Sequence, residues 1–186
     1  MNETATKKKE PGMATLVIVL FAICAVTALL LGLTNYVTAP FIEANKAKTT
    51  QEAMAKVLPY DGEYAKVTDQ YSGGDATVLN IYSAGDTGYV VEVKPATSFS
   101  GNLTVMVGVG ADGACTGISI TSTGETSGLG SNASRPSFAD QFIGKTGTVA
   151  VTKDGGDINA ITGATITSRG VCEAVNSAIA VAESMG

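Results

Sequence analysis

The sequence predicts an α+β chain: one amino-terminal transmembrane helix, then a twisted antiparallel sheet backed by helices. Three observations carry this expectation. Met13–Leu33 (MATLVIVLFAICAVTALLLGL) is apolar and lies in a longer stretch without a charge, from Glu10 to Glu43. Four β-branched runs follow, separated by Gly, Asp and Pro turns. A small-residue helix with one apolar face closes the chain.

The apolar stretch of 21 residues reaches roughly 31 Å as a helix, the thickness of a bilayer's hydrocarbon core. A cleaved secretory leader has a shorter apolar region, about 7–15 residues, and Pro40 after Val37-Thr38-Ala39 hinders cutting there, so an uncleaved anchor is expected. Lys7-Lys8-Lys9 immediately before the span favour the cytoplasm. The expected organisation is a cytoplasmic tail over 1–12, a transmembrane anchor over 13–38, a helical stalk over 39–60 and a globular domain over 61–186. That domain is placed outside the cytoplasm, on a cell or inner membrane crossed once.

Phe41–Leu58 (FIEANKAKTTQEAMAKVL) reads as the stalk helix, stopped by Pro59. Asp61–Asp75 is polar and carries Gly73-Gly74, a loop signature. Val78–Ser83, Gly88–Lys94, Leu103–Val109 and Cys115–Ser122 read as strands, with Ala111-Asp112-Gly113 as a hairpin turn. Phe138, Phe142 and Ile143 mark a short amphipathic helix, and Gly147–Lys153 a further strand. The last helix is expected from about Ser168 to Ser184, burying Val171, Val175, Ile179 and Ala182.

Composition narrows the chemistry. The chain has 186 residues, no histidine and a formal net charge of −5. Missing histidine excludes Ser-His-Asp and Cys-His triads and imidazole metal sites, and no catalytic or metal-ligating residue is assigned. The acidity gives no stripe for nucleic acid. Cys24, Cys115 and Cys172 are too dispersed for a disulfide framework; whether Cys115 and Cys172 meet is open.

The informative segment is Asn159–Ser168 (NAITGATITS), a tight small-residue turn opening into a helix. Gly163 and Ala164 permit close approach to backbone, and a helix start presents free N–H groups to an anion. Read cold, Thr167 or Ser168 is as well explained as a helix cap.

Thr162-Gly163-Ala164-Thr165-Ile166-Thr167-Ser168 resembles the flavinylation motif of the covalent FMN-binding domain family. Gly124-Glu125-Thr126-Ser127-Gly128-Leu129-Gly130 is similar to that family's second element, a loop lying against the flavin, with Ser127 in place of the usual proline. The strand and hairpin Leu103–Gly113 resemble those that precede it. Within the family, the anchor and the order of elements look most like the G subunits of Rnf-type ion-translocating ferredoxin:NAD oxidoreductases, homologous to the C subunits of sodium-translocating NADH:quinone reductases. The resemblance implies FMN joined by a phosphoester to Thr165 through the action of a flavin transferase. Thr162, Gly163, Ala164 and Thr167 would lie at its phosphate and ribityl end. Glu125, Thr126, Gly128, Leu129 and Gly130 would approach the flavin. It further implies an electron-relay subunit, with other membrane and iron–sulfur subunits as partners. Asn159 departs from the family's usual aspartate at that place. Two other readings compete: a solitary extracytoplasmic flavin carrier, and a pilin-like structural protein. Against the second, this chain has no glutamate between Met13 and Leu33, where pilin-type anchors carry one inside the apolar stretch.

Overall fold

The computed structural model describes residues 12–186; the basic cluster Lys7–Lys9, and the expected tail except Gly12, lie outside the described residues. The chain divides between Ala47 and Lys48 into two compact units.

Helix α1 runs Met13–Val57. Its apolar window has a mean hydropathy of 3.0 and is entirely unburied, long and apolar enough to cross a membrane. The separate stalk helix expected from Phe41 is the continuation of this same helix, which passes through Pro40. Proline removes one amide donor there without ending the helix.

The second unit is built on a five-stranded antiparallel meander in the order β1-β2-β3-β4-β5: β1 Ala65–Lys66, β2 Val78–Ser83, β3 Gly88–Val93, β4 Thr104–Gly110 and β5 Cys115–Ser122. β2 and β5 have the expected bounds, β3 ends one residue early, and β4 is displaced by one residue at both ends. The hairpin turn at Ala111–Gly113 is closed by Gly110 N–H donating to the Ala114 carbonyl, with Gly113 at φ +76°. β1 corrects the reading of Asp61–Asp75 as pure loop, since Ala65 pairs with Ser83 and Lys66 with Tyr82. A two-residue edge strand is too short to leave a period in the sequence.

Both faces of the sheet are covered, which explains why Thr104–Val109 is buried throughout rather than alternating. On one face Val91, Val105, Val107 and Val109 pack with Val171, Val175 and Ile179 of α3 (Thr165–Met185). On the other, Ala53, Met54, Val57 and Leu58 pack on Val90 and Met106. Thr116 Oγ1 donates to the Val57 carbonyl, and a Cβ at Gly108 would overlap that same carbonyl. The last turn of α1 is therefore a layer of the fold. Burial of Met54, Val57 and Leu58 contributes on the order of 5 kcal/mol. This takes the lower end of the usual range per large side chain, because the unfolded chain already hides part of that surface. A fragment starting at Lys48 is expected to unfold cooperatively; one starting at Asp61 is expected to lose most of that stability and bind a hydrophobic dye. Equal urea midpoints for the two fragments would contradict this.

Two further expectations are corrected. Gly147–Lys153 is not a sheet strand. The Val149 backbone is taken up by the Asn176 side-chain amide, which accepts from its N–H at 2.7 Å and donates to its carbonyl at 2.9 Å. Only an isolated parallel bridge, Val151 with Ile158, remains, before a single 3-10 turn over Thr152–Asp154. The amphipathic helix is one short turn, α2 Pro136–Ala139, followed by a 3-10 turn to Phe142. Phe138 and Phe142 are buried edge-to-face with centroids 5.3 Å apart, but Ile143 leaves the helix and is exposed. Cys115 and Cys172 are both buried and unpaired.

Candidate functional site

α3 begins at Thr165, three residues before the expected start, because Ala164 turns the chain and no side chain caps the helix. Thr167 and Ser168, the candidate caps, are used elsewhere. Ser168 Oγ accepts from Ile161 N–H at 2.9 Å and donates to the Ala164 carbonyl at 3.0 Å, stapling the turn. Thr167 is 1% exposed and its hydroxyl donates to Glu125 Oε2 at 2.6 Å. The amides of the first turn thus have no intrahelical acceptor and no side-chain cap.

That uncapped end opens into a cavity of about 400 Å³ walled by Thr126, Leu129, Gly130, Gly163, Thr165 and Ile166, with Glu125, Ala164 and Thr167 completing the floor. Phe99 and Lys153 also border it. Gly163 has φ +78°, and a Cβ there would stand 3.1 Å from Leu129 Cδ2, so glycine permits this turn both conformationally and by space. Gly130 is equally constrained: a Cβ would press on Glu125 and Thr167 at 2.7 to 2.8 Å.

Eight of the ten residues expected from the sequence border this cavity. The other two do not. Thr162 faces a separate polar groove with Asn159, Arg135 and Gln141, and Gly128 makes a positive-φ turn, φ +77°, whose carbonyl accepts from the Asn132 side chain. Asn159 is held by its backbone, since the Gln141 amide bonds both its N–H and its carbonyl. Phe99 and Lys153 are additions that the sequence does not announce. Phe99 is 68% exposed in a Ser/Gly-rich loop with no periodicity, and Lys153 sits in a segment with the texture of a strand.

Glu125 ties three segments together. Its Oε1 accepts from Ser100 N–H and from Ser100 Oγ, both at 3.1 Å, while Oε2 accepts from Thr167. Burial pushes its carboxyl up, but the hydrogen bonds from Thr167 and Ser100 outweigh this and hold it below its ordinary value of 4.5. A carboxyl with a depressed folded pKa stabilises the fold above the unfolded value, and that contribution disappears as pH falls through the folded value. Thermal unfolding below about pH 4.5 is therefore expected to drop more steeply in the wild type than in Glu125→Gln. Parallel pH profiles would contradict the assignment.

The residues fit a phosphorylated, partly apolar cofactor: free amides at one end, Leu129, Ile166 and Phe99 along the walls. Comparison with known proteins agrees. Residues 98–180 match the FMN-binding domain family. The G subunit of the Na(+)-translocating ferredoxin:NAD(+) oxidoreductase complex of Acetobacterium woodii is 37% identical over 90% of each chain. The G subunit of an ion-translocating oxidoreductase complex of Methanosarcina acetivorans is 32% identical, covering 88% of this chain and 90% of its own. The G subunit of the proton-translocating ferredoxin:NAD(+) oxidoreductase complex of Clostridium ljungdahlii is 33% identical over 84% of each.

Proposed function

Because the chain belongs to the G-subunit family of ion-translocating oxidoreductase complexes, we propose that it is a membrane-anchored electron relay whose FMN is held by a phosphoester to Thr165. The observation that carries the attachment site is the uncapped start of α3, where Thr165, half-buried, borders the cavity beside amides that lack partners. A phosphate joined at that oxygen meets free N–H groups and the positive end of the helix dipole. FMN, when bound, supplies the redox chemistry; the chain's own residues attach it, shape its surroundings and keep it at the membrane. No side chain here is required as acid, base or nucleophile during turnover.

Assembly with other subunits is supported by the relatives, which are named as subunits of complexes. Rnf-type membrane and iron–sulfur subunits are the partners that exchange electrons with it, and a flavin transferase is the partner that loads it. The relatives' complexes are named for different coupling ions, sodium in one and protons in another. The basic cluster Lys7–Lys9 before α1 supports an extracytoplasmic domain. A carboxyl-terminal reporter active only in the cytoplasm is expected to stay silent; strong activity would reverse the topology. The test of the function itself is intact mass and absorbance of protein made with and without a flavin transferase. An FMN-sized increment and a band near 450 nm that persists after denaturation are expected only with the transferase.

A further inference from the structure

The cavity contains one carboxylate, Glu125, and one ammonium, Lys153. Glu125 is committed to Ser100 and Thr167, and its negative charge opposes a second anion in the same space. A helix start offsets about half an elementary charge, whereas the phosphate brings about one when esterified to Thr165 and more than one as free FMN. A cation beside the phosphate would offset the remainder.

Arg169, the nearest alternative on α3, is committed: its Nε and Nη2 donate to Asp154 at 2.7 and 2.6 Å. Among the described residues no carboxylate is in ion-pair contact with Lys153. The Asp154–Arg169 pair also fixes where Lys153 stands. Asp154 and Lys153 share the turn Thr152–Asp154, which Gly155 ends at φ +86°. Anchoring Asp154 to the second turn of α3 brings the preceding residue to the mouth of the cavity at the helix start.

We infer that Lys153 is the charge partner of the FMN phosphate, and that its ammonium gives the site its preference for a phosphorylated flavin. This rests on the FMN reading and adds a residue to it. The lysine is long and exposed, so it adjusts to the incoming phosphate and loses its freedom only on binding.

The experiment uses the full chain in detergent, produced without a flavin transferase, titrated separately with FMN and with riboflavin, which lacks the phosphate. The wild type is expected to bind FMN more tightly than riboflavin. Lys153→Gln is expected to lower the FMN-to-riboflavin affinity ratio about tenfold with riboflavin affinity unchanged. Lys153→Arg is expected to retain the ratio, and Lys153→Glu to depress it below the Gln variant. An unchanged ratio in Lys153→Gln, or equal losses for both ligands, would overturn the inference and leave the FMN reading intact. A wild type that binds neither flavin and takes up no FMN mass beside an active transferase would remove both.

Discussion

Thr165→Ala protein made with an active flavin transferase is expected to carry no covalent flavin and to remain folded. Thr165 is the only hydroxyl residue in the first turn that lies half-buried at the cavity, with its neighbour Ile166 apolar and Thr167 enclosed. Thr167 is 1% exposed and already bonded to Glu125, so modifying it would break that bond and force a phosphate into the packed floor. Removing the Thr165 hydroxyl leaves no buried group unpaired, and the stability change is expected within about 0.5 kcal/mol. Thr167→Ala behaves oppositely: covalent flavin is retained, but Glu125 Oε2 loses its donor, costing about 1–3 kcal/mol. Peptide mapping and urea unfolding of the two variants read both effects. FMN mass on Thr167, or modification surviving in Thr165→Ala, would refute the assignment.

The second large effect is on stability. Gly170 sits inside α3 facing the β3–β4 connection, and a Cβ there would overlap the Thr97 carbonyl oxygen. Neither partner can yield cheaply, because both are backbone. Loop residues Ala96 and Thr97 are themselves held by Glu173, whose carboxylate accepts from their N–H groups at 2.7 and 3.1 Å. Gly170→Val is expected to destabilise the unit by about 3 kcal/mol, an overpacking penalty that the gain in helix propensity, about 1 kcal/mol or less, does not offset. Gly170→Ala adds only the one methyl and is expected to show most of the loss. A urea midpoint for Gly170→Ala equal to or above wild type would show that the loop moves away freely.

Strands with long β-branched runs are readable because each of their residues is selected for burial or pairing. Val78–Ser83 and Cys115–Ser122 are flanked by turn residues and pair antiparallel with neighbouring strands, each ladder interrupted by a shift in register. Gly147–Lys153 has the same texture, yet its backbone partner is a side chain, Asn176, and no local pattern announces a partner 27 residues away. The start of α3 is displaced in the sequence pattern because Thr167 and Ser168 look like caps; a long-range bond to Glu125 and a short-range one to Ile161 claim them instead. The eight cavity residues are legible through motif resemblance, which carries three-dimensional information that spacing does not. Phe99 and Lys153 have no such support. The role of Met54, Val57 and Leu58 as a core layer is hidden by their place at the end of a polar, stalk-like helix.

The loop bearing Phe99 has a consequence for electron transfer. It is fastened to α3 through Glu173 before Phe99 and to the floor of the cavity through Ser100 and Glu125 after it. Phe99 is thus suspended between two anchors made by the chain's own bonds. When an electron arrives at or leaves a redox centre, every group around it must relax to the new charge, and the energy of that relaxation slows the transfer. Surroundings held at both ends have little room to relax. The double fastening therefore limits what this loop itself would add to the reorganisation energy of a flavin held in the cavity, as preorganised dipoles act without moving at the moment of reaction.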